Sequence, residues 1–252
     1  MMIDNRSYWL QYWSNQSDPH HMLQTEDFYE KKAKEELFHL NGGESLLDFG
    51  CGSASILAYI ANEYKTVVGT DFSQSMLLEA ENRMKSFHID NVSFILANET
   101  TIWNKISLDF DRITATGVVQ YFNLDQLRNF IINSSRFISD EGMIILFDIL
   151  DPHLYWLWKY GTARGKLSKL FNQVHLKNSR LSENSSFFFL KAEILSILDQ
   201  LKRFVTREPD PIGYTYHPSI IKDIAYENGL EFEYICSIYY EYRYHAILKK
   251  SQ

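Results

Sequence analysis

The sequence predicts an α/β fold built on a doubly wound, mostly parallel sheet. Three observations predict it: apolar strands alternate with helical stretches from Leu46 onward, a glycine-rich turn follows the first strand, and two closely spaced strands end the chain. Such alternation is typical of parallel sheets with helices on both faces. We expect seven strands, the last two forming an antiparallel hairpin, and a helical, aromatic cap insertion ahead of them.

The first half of this pattern contains three strands and two helices. A strand begins at Leu46, a second ends at Asp71, and a third covers residues 92–97. A helix is predicted over residues 53–64. Ser73 is a good N-cap for the next helix, whose apolar residues recur at helical spacing: Met76, Leu77, Ala80 and Met84.

The second half begins with a strand over residues 110–115 and a helix that Asn123 opens, with Gln126 in the capping-box position. Residues 140–142 predict a turn into a continuous apolar strand over 143–148, as expected of a strand buried on both faces. Near the end, Pro218 suits a first helical turn and Gly229 a helix end. Strands 231–238 and 242–249 are too close for a parallel crossover, so they pair antiparallel.

Two segments lie outside this minimal fold. Residues 1–40 are predicted to be an N-terminal helical lid, although the aromatic stripe in 8–13 also suits simple packing on the domain. Residues 41–252 form the Rossmann-like domain, interrupted by the cap insertion 151–213. Because this insertion follows the carboxyl end of a strand, we expect it to cover the ligand crevice.

Composition narrows the classes of function. The chain has 252 residues, a net charge of −7 and only two cysteines. An acidic chain without a basic cluster disfavours a nucleic-acid partner, and two cysteines imply neither a disulfide framework nor a metal cluster. No apolar run reaches the ~18 residues of a membrane span, and no leader pattern is present. We therefore expect a soluble cytoplasmic protein with a small-molecule partner and no stable membrane insertion, and a homodimer stays open.

The glycine-rich turn carries the functional signal. It reads Asp48-Phe49-Gly50-Cys51-Gly52-Ser53-Ala54, and a second strand ends on Asp71 about twenty residues later. Glycines let the backbone approach a ligand, the following helix offers free N–H groups, and the acid accepts ribose hydroxyls. Asp48 places a negative charge beside the turn, which repels a pyrophosphate and favours a cationic nucleoside.

This motif resembles that of the class I S-adenosylmethionine-dependent methyltransferases. Ala54 stands at the third glycine position, where close helix packing is the main demand and one methyl group is a small intrusion. The resemblance implies the α/β fold described above, S-adenosyl-L-methionine as cofactor and methyl transfer as activity. A tight turn without a ligand is the alternative for the glycines, and a surface cap for the next helix is the alternative for Asp71.

The resemblance also implies a set of cofactor contacts. The methionine moiety would lie along the turn, at Asp48, Gly50, Cys51 and Gly52. The ribose would lie at the end of the second strand, at Asp71 and Phe72, and the adenine in the loop after the third strand, at Asn98 and Glu99. Thr116 and Gly117, at the end of the fourth strand, would lie beneath the cofactor. Asn98 is preferred over Glu99 for the adenine amino group, and a register shift of one residue would exchange them.

The methyl acceptor is expected to be a small molecule with a reactive oxygen, such as a glycan precursor or a natural-product intermediate. A hydroxyl acceptor benefits from a general base, whereas an amine needs none. Asp151 and His153 follow the fifth strand and are the candidate bases, with His20 and His21 in the lid as further candidates. A surface or packing role is the alternative for each histidine.

Three other classes of function remain open. A methyltransferase-like protein can bind the cofactor without turnover, and an oxidoreductase would bind NAD instead. A membrane-surface protein could use residues 154–170 as an interfacial helix, although one basic aromatic stretch in an acidic chain supports this weakly. The sequence disfavours methylation of the exocyclic amines of nucleobases, because the Asn-Pro-Pro-Tyr motif typical of such enzymes is replaced here by Gln120-Tyr121-Phe122-Asn123.

Overall fold

The computed structural model describes residues 25–107, 109–152, 154, 213–240 and 242–251. The predictions for residues 1–24, for His153 and for nearly all of the cap insertion lie outside these residues. The described elements are α1 (Glu26–Leu40), β1 (Gly43–Phe49), α2 (Leu57–Ile60), β2 (Tyr64–Asp71), α3 (Gln74–Ser86), β3 (Val92–Leu96), β4 (Phe110–Thr116), α4 (Leu124–Arg136), β5 (Ile138–Leu150), α5 (Pro218–Glu227), β6 (Leu230–Cys236) and β7 (Arg243–Lys250). Short 3-10 turns cover Ala61–Glu63, Ile102–Asn104 and Val119–Tyr121.

The strands form a seven-stranded sheet in the order β3-β2-β1-β4-β5-β7-β6. The pairs from β3 to β5 are parallel, whereas β7 runs antiparallel to both β5 and β6. The predicted fold class is therefore confirmed, including the terminal antiparallel strands. Because the chain winds outward from β1 on one side and from β4 on the other, the loops after these two strands diverge and leave a crevice between them.

The sheet has a hydrophobic cluster on each face, as a doubly wound fold requires. One cluster packs α4 and α5 on the sheet through Leu127, Phe130 and Ile221. The other packs α1, α2 and α3 through Leu40, Leu57 and Met84. The central strands are buried on both faces, which explains their continuous apolar sequence.

Several helix ends follow the predicted local chemistry. The Ser73 hydroxyl accepts from Met76 N at the start of α3. Asn123 and Gln126 form the complete capping box of α4, with both hydrogen bonds at 2.9 Å. Pro218 occupies the first turn of α5, and Gly229 beyond that helix has a positive φ of 68°. These backbone groups are satisfied within a few residues, so the sequence alone could predict them.

The helix predicted over residues 53–64 is wrong in length. Regular α-helix is restricted to Leu57–Ile60, followed by the 3-10 turn and then by Tyr64, which already begins β2. Ala54 has a φ of +58° and is completely buried, so the chain is still turning at this residue. The third glycine position therefore requires a left-handed backbone here, and not only close packing as the sequence suggested.

The turn predicted at residues 140–142 is part of β5 in the structure. Ile138 pairs with Phe110 and Met143 with Arg112, so residues 139–142 together lie opposite Asp111 as a bulge. Gly142 allows this crowding, because a Cβ there would lie 2.9 Å from backbone atoms of Ser139. This bulge extends β5 at its start to Ile138, and the strand also continues two residues past its predicted end, to Leu150.

Candidate active site

A crevice of 280 Å³ crosses the carboxyl ends of the parallel strands at the divergence between β1 and β4. A second cavity of 190 Å³ adjoins it, between the glycine-rich turn and α1. Both share the residues Gly50, Gly52 and Thr116. The two cavities thus surround the turn from either side.

The glycine-rich turn is fixed by backbone hydrogen bonds. Thr70 O accepts from Gly50 N at 2.7 Å and from Cys51 N at 2.9 Å. Gly50 has a φ of +73°, and a Cβ there would lie 2.4 Å from Val118 Cγ2. Gly52 also has a positive φ, of 55°, but its Cβ position is open for 4 Å. Gly50 is thus required by packing, whereas Gly52 leaves room for a ligand beside the backbone.

Asp71 lies at the end of β2 with its carboxylate tied to the two neighbouring loops. Its oxygens accept from Gly52 N at 3.1 Å and from Ser73 N at 2.8 Å. Burial raises the pKa of Asp71 to about 6, although the hydrogen bonds from these backbone N–H groups act to lower it. The carboxylate therefore joins the turn to α3, as well as facing the crevice where the sequence placed a ribose ligand.

Asp48 lies beneath the turn and lines the second cavity. Thr114 Oγ1 donates to its carboxylate at 3.0 Å. Burial raises the pKa of Asp48 to about 6, the Thr114 hydrogen bond lowers it, and the negative charge of Asp71 raises it further. Among the described ion pairs none involves Asp48 or Asp71.

These residues fit a cationic nucleoside. Two buried carboxyl groups without a positive side chain are stabilised in their ionised form by a cation from a ligand. S-adenosylmethionine carries positive charge on its sulfonium and its ammonium group, and its ribose supplies two hydroxyl donors. The donor set and the open Cβ positions beside the backbone thus match the predicted cofactor.

The loop after β3 differs from the expectation for Asn98. Both Asn98 and Glu99 line the crevice. The Asn98 carbonyl oxygen, however, accepts from the main-chain N and the hydroxyl of both Thr100 and Thr101 at 2.8–3.1 Å. A carbonyl oxygen has two lone pairs, so this one is already committed to closing the loop. Glu99 accepts from Gln126 Nε2 at 2.9 Å, and its carboxylate is thereby held by the α4 capping box.

The end of β4 provides a small surface below the crevice. Gly117 has a φ of +65° and an open Cβ position, and Gly117 N donates to Phe147 O at 3.0 Å. The Thr116 hydroxyl donates to Glu36 on α1.

Phe72 lines the crevice beside Asp71, whereas Cys51 lines the second cavity. Burial raises the pKa of the Cys51 thiol well above its usual range, so it stays protonated.

The candidate base Asp151 does not line the crevice, and His153 lies outside the described residues. Asp151 Oδ1 accepts instead from Leu154 N at 3.0 Å. Asp148, three residues earlier, lines the crevice with a φ of +58°. The strand continues to Leu150, two residues beyond its predicted end, with an irregularity in its pairing to β7 at Asp148. The role of Asp151 and His153 as bases stays a prediction.

A buried ionic cluster beneath α1 was missed by sequence reasoning. Lys32 Nζ bonds to Glu35 and, at 2.9 Å, to Asp148 Oδ1. Glu35 Oε1 accepts from His245 Nε2 at 3.1 Å, while Asp148 N donates to His245 Nδ1 at 3.0 Å. Because Nδ1 accepts a backbone N–H, Nε2 is the ring nitrogen whose N–H donates to Glu35. The only signal in the sequence was a histidine within an otherwise apolar strand.

A further buried carboxyl group, Glu36, was also missed. It is 2% exposed and lines the second cavity together with Asp48. Burial raises the pKa of Glu36 well above its usual range, Lys32 lowers it, and Asp148 and Asp48 raise it. Glu36 follows Lys32 by one helical turn, which is a spacing that does not distinguish a buried pair from a solvated one.

Comparison with known proteins agrees with this geometry. Residues 47–144 match the family model described as a methyltransferase domain. The fold and this domain match agree with the predicted resemblance to the class I S-adenosylmethionine-dependent methyltransferases. The similar proteins differ in the reactions for which they are named.

Two curated relatives and one solved structure illustrate the range. (S)-coclaurine N-methyltransferase of Thalictrum flavum subsp. glaucum is 33% identical over 118 residues, which are 44% of this chain and 30% of that protein. Demethylmenaquinone methyltransferase of Tropheryma whipplei (strain Twist) is 25% identical over 69% of this chain and 72% of that protein. Magnesium protoporphyrin IX methyltransferase of Synechocystis PCC 6803, solved with bound SAM, shares the fold with a TM-score of 0.59 and 12% identity, covering 99% and 98% of the two chains.

The chain spans about a third of the length of the first curated relatives it matches. Among the described residues no helix is long and apolar enough to cross a membrane.

Proposed function

We propose that the chain binds S-adenosylmethionine in the crevice and transfers its methyl group to a hydroxyl oxygen of a small molecule. The observation that carries this proposal is the pair of buried carboxyl groups, Asp48 and Asp71, on either side of the glycine-rich turn. A cation bound there compensates both charges, whereas the pyrophosphate of NAD would add further negative charge.

The cofactor contacts follow the positions predicted from the sequence. Asp48 would face the ammonium group and Asp71 the ribose hydroxyls, with Gly50, Cys51 and Gly52 along the methionine moiety. Phe72, Asn98 and Glu99 would border the adenine, and Thr116 and Gly117 would lie beneath the sulfur. The cofactor supplies an electrophilic methyl group, so the protein chiefly has to align the acceptor with it.

For a hydroxyl acceptor, transfer breaks the carbon–sulfur bond, forms a carbon–oxygen bond and releases one proton. A carboxylate near the end of β5 would receive this proton. Asp148 is the better placed candidate because it lines the crevice. Asp151 does not line the crevice, and it stays a candidate because it begins the cap insertion that is predicted to cover the site. Lys32 and Ser237 bond to Asp148 Oδ1 and hold its carboxylate in place.

The test begins with binding of S-adenosylhomocysteine and of NAD, each measured by calorimetry on the full chain. Binding of the nucleoside and none of NAD supports the proposal, and the reverse result favours an oxidoreductase. Turnover is then measured as release of S-adenosylhomocysteine with panels of small hydroxyl, amine and thiol compounds. Binding without turnover on any panel would favour a cofactor-binding protein, and methylation of amines alone would overturn the oxygen acceptor.

The base is tested by the Asp148→Asn and Asp151→Asn variants. A positioned base contributes about 10²–10⁴-fold to the rate, so its loss should lower turnover by that factor with cofactor affinity unchanged. Loss in neither variant would leave alignment as the source of catalysis. A homodimer, which the sequence left open, is tested by sedimentation of the same samples.

A further inference from the structure

Two buried polar atoms in the wall of the crevice have no hydrogen-bond partner among the described residues. They are Gln120 Oε1 and Arg243 Nε, in residues that are 4% and 8% exposed. Both residues line the crevice. An unpaired buried polar group costs about 1–3 kcal/mol, so two in one ligand crevice indicate groups arranged to bind a ligand.

Both residues are firmly held by other contacts. Gln120 lies in the 3-10 turn after β4, and its main-chain O accepts from Tyr214 N at 2.6 Å. Arg243 begins β7, and its Nη1 donates to Asp148 O at 2.7 Å. The Gln120 backbone and the Arg243 side chain are each held by one of these contacts, while Gln120 Oε1 and Arg243 Nε take part in neither.

The charged residues lining the crevice are divided by sign along its length. Asp71 and Glu99 lie at the β2–β3 end, where the nucleoside is proposed to bind. Lys32 and Arg243 lie at the β5–β7 end with Asp148 as the single carboxylate. Lys32 is already paired with Glu35 and with Asp148 Oδ1, whereas the Arg243 guanidinium bonds only to the main-chain O of Asp148 among the described contacts, so Arg243 is the cation that this end offers to an anionic group.

Aromatic side chains border the same end. The Arg243 guanidinium lies 5.3 Å from the Tyr240 ring centroid and 5.5 Å from that of Tyr242. The Phe28 and Tyr240 rings lie 6.0 Å apart, and both line the crevice. Such rings provide flat apolar faces, while a guanidinium matches the planar, two-oxygen geometry of an oxyanion.

We propose that the end of the crevice between Gln120 and Arg243 is the acceptor subsite, and that it takes a flat apolar acceptor bearing an oxyanion. The oxyanion, a carboxylate or a phosphate, accepts from the Arg243 guanidinium. Gln120 accepts from a hydroxyl or N–H donor of the same molecule. This assignment rests on the proposed function, because it takes the opposite end of the crevice as the cofactor site.

The ligand class is tested with small aromatic probes on the full chain saturated with S-adenosylhomocysteine. The probes are 4-hydroxybenzoate, phenyl phosphate, the neutral 4-hydroxybenzamide and the cationic 4-hydroxybenzylamine. One or both oxyanion probes should bind about tenfold more tightly than the other two, and their ratio distinguishes carboxylate from phosphate. Tighter binding of the amine, or no binding of either oxyanion at millimolar concentration, would overturn the subsite.

Failure of S-adenosylhomocysteine itself to bind would instead overturn the proposed function. Cofactor binding is therefore measured first and separately for every variant.

Substitutions separate recognition from a structural role. Arg243→Met should abolish the preference for the oxyanion probes, and Arg136→Met on the exposed end of α4 is the matched control. Because Arg243 also supports Asp148 O, Gln120→Met provides a second variant without that complication.

Gln120→Met should weaken probe binding about tenfold while thermal stability stays equal or rises, since an unpaired buried polar atom is removed. A structural role predicts the opposite pattern, with lower thermal stability and unchanged probe affinity. That pattern, or unchanged probe affinity in both Gln120→Met and Arg243→Met, would contradict the proposal.

Discussion

At the scale of single residues, the crevice is distinguished by carboxyl groups that burial keeps partly protonated. Asp48 and Asp71 both have a pKa raised to about 6. The negative charge of these carboxylates, which attracts a cationic ligand, is therefore unfavourable in the ligand-free protein. Binding and ionisation are thus coupled at these two positions.

We expect cofactor affinity to rise with pH between 5 and 7 and to level off above. Each carboxyl that ionises on binding contributes about tenfold over this interval, because a pKa near 6 leaves it mostly protonated at pH 5. Calorimetry with S-adenosylmethionine at three pH values measures this. Asp48→Asn should reduce the slope, and Asp125→Asn in the first turn of α4 is the control. A pH-independent affinity would show that neither group ionises on binding.

The stability of the ligand-free protein should depend on pH in the opposite direction through the same two groups, Asp48 and Asp71. Their folded pKa lies above the unfolded value of 3.8, so their contribution to stability falls as pH rises from about 4 through 6.

The left-handed backbone of Ala54 gives a second prediction at this scale. Glycine adopts a φ of +58° without strain, whereas alanine does so at a cost of about 1–2 kcal/mol. Ala54→Gly removes this strain but also removes a fully buried methyl group and gives the unfolded chain more backbone entropy, so it should change the stability by less than about 1 kcal/mol in either direction. Denaturant unfolding measures the change. Ala58→Gly within α2 is the matched control and should destabilise by about 1 kcal/mol; equal losses in both variants would contradict the argument.

At the scale of elements, α1 is attached to the sheet by charged groups as well as by apolar packing. Lys32 and Glu35 are each only 1% exposed in their side chains, and they reach Asp148 on β5 and His245 on β7. The pKa of Glu35 falls to about 2 because the hydrogen bond from His245 and the charge of Lys32 outweigh its burial. Its contribution to stability is complete above about pH 4.5 and is lost as pH falls toward 2.

Removing the lysine from this cluster should be far more harmful than removing an exposed one. Lys32→Met leaves two buried carboxylates without their cation, and breaking such a pair costs about 3–5 kcal/mol. Lys34→Met, two residues away, removes only an exposed pair with Glu30 and should cost less than about 0.5 kcal/mol. The free energies of unfolding in urea compare them. Similar values for the two variants would mean that α1 is held by apolar packing alone.

At the scale of the whole molecule, the divergence of the chain at β1 and β4 places the crevice, and the described ends of the connection from β5 to α5 lie next to each other. Tyr216 N donates to Leu150 O at 2.9 Å, so the two ends of this connection are adjacent. The domain boundaries predicted from the sequence, with a lid over residues 1–40 and a cap over 151–213, stay predictions.

The cap prediction is tested by replacing residues 155–212 with a short glycine–serine linker. The adjacent ends make this replacement compatible with the sheet, so the affinity for S-adenosylhomocysteine should stay within about tenfold of the full chain. Methyl transfer should be lost if the cap completes the acceptor site. Full activity of the shortened chain would show that the insertion has no part in catalysis.

The sequence by itself determined the features that local chemistry fixes. Spacing within a few residues predicts the strand alternation, the capping box at Asn123 and the antiparallel terminal strands. The glycine-rich turn and its two acids follow from the spacing of two successive strands. These features were sufficient for the fold class and for the cofactor end of the crevice. Asp48 and Asp71 both lie beside the turn, because the carboxyl ends of adjacent parallel strands lie at one edge of the sheet, and their contacts with a cofactor stay predictions.

Only the tertiary structure decided the contacts between residues distant in the chain. The cluster of Lys32, Asp148 and His245 joins one helix to two strands, and Gln120 meets Arg243 in one crevice although more than a hundred residues separate them. Asp148, which lines the crevice, lies at an irregularity in the pairing of β5 with β7, and that pairing joins strands about a hundred residues apart. Burial raises or lowers the pKa of each group only after folding removes water, and no periodicity in the sequence records that.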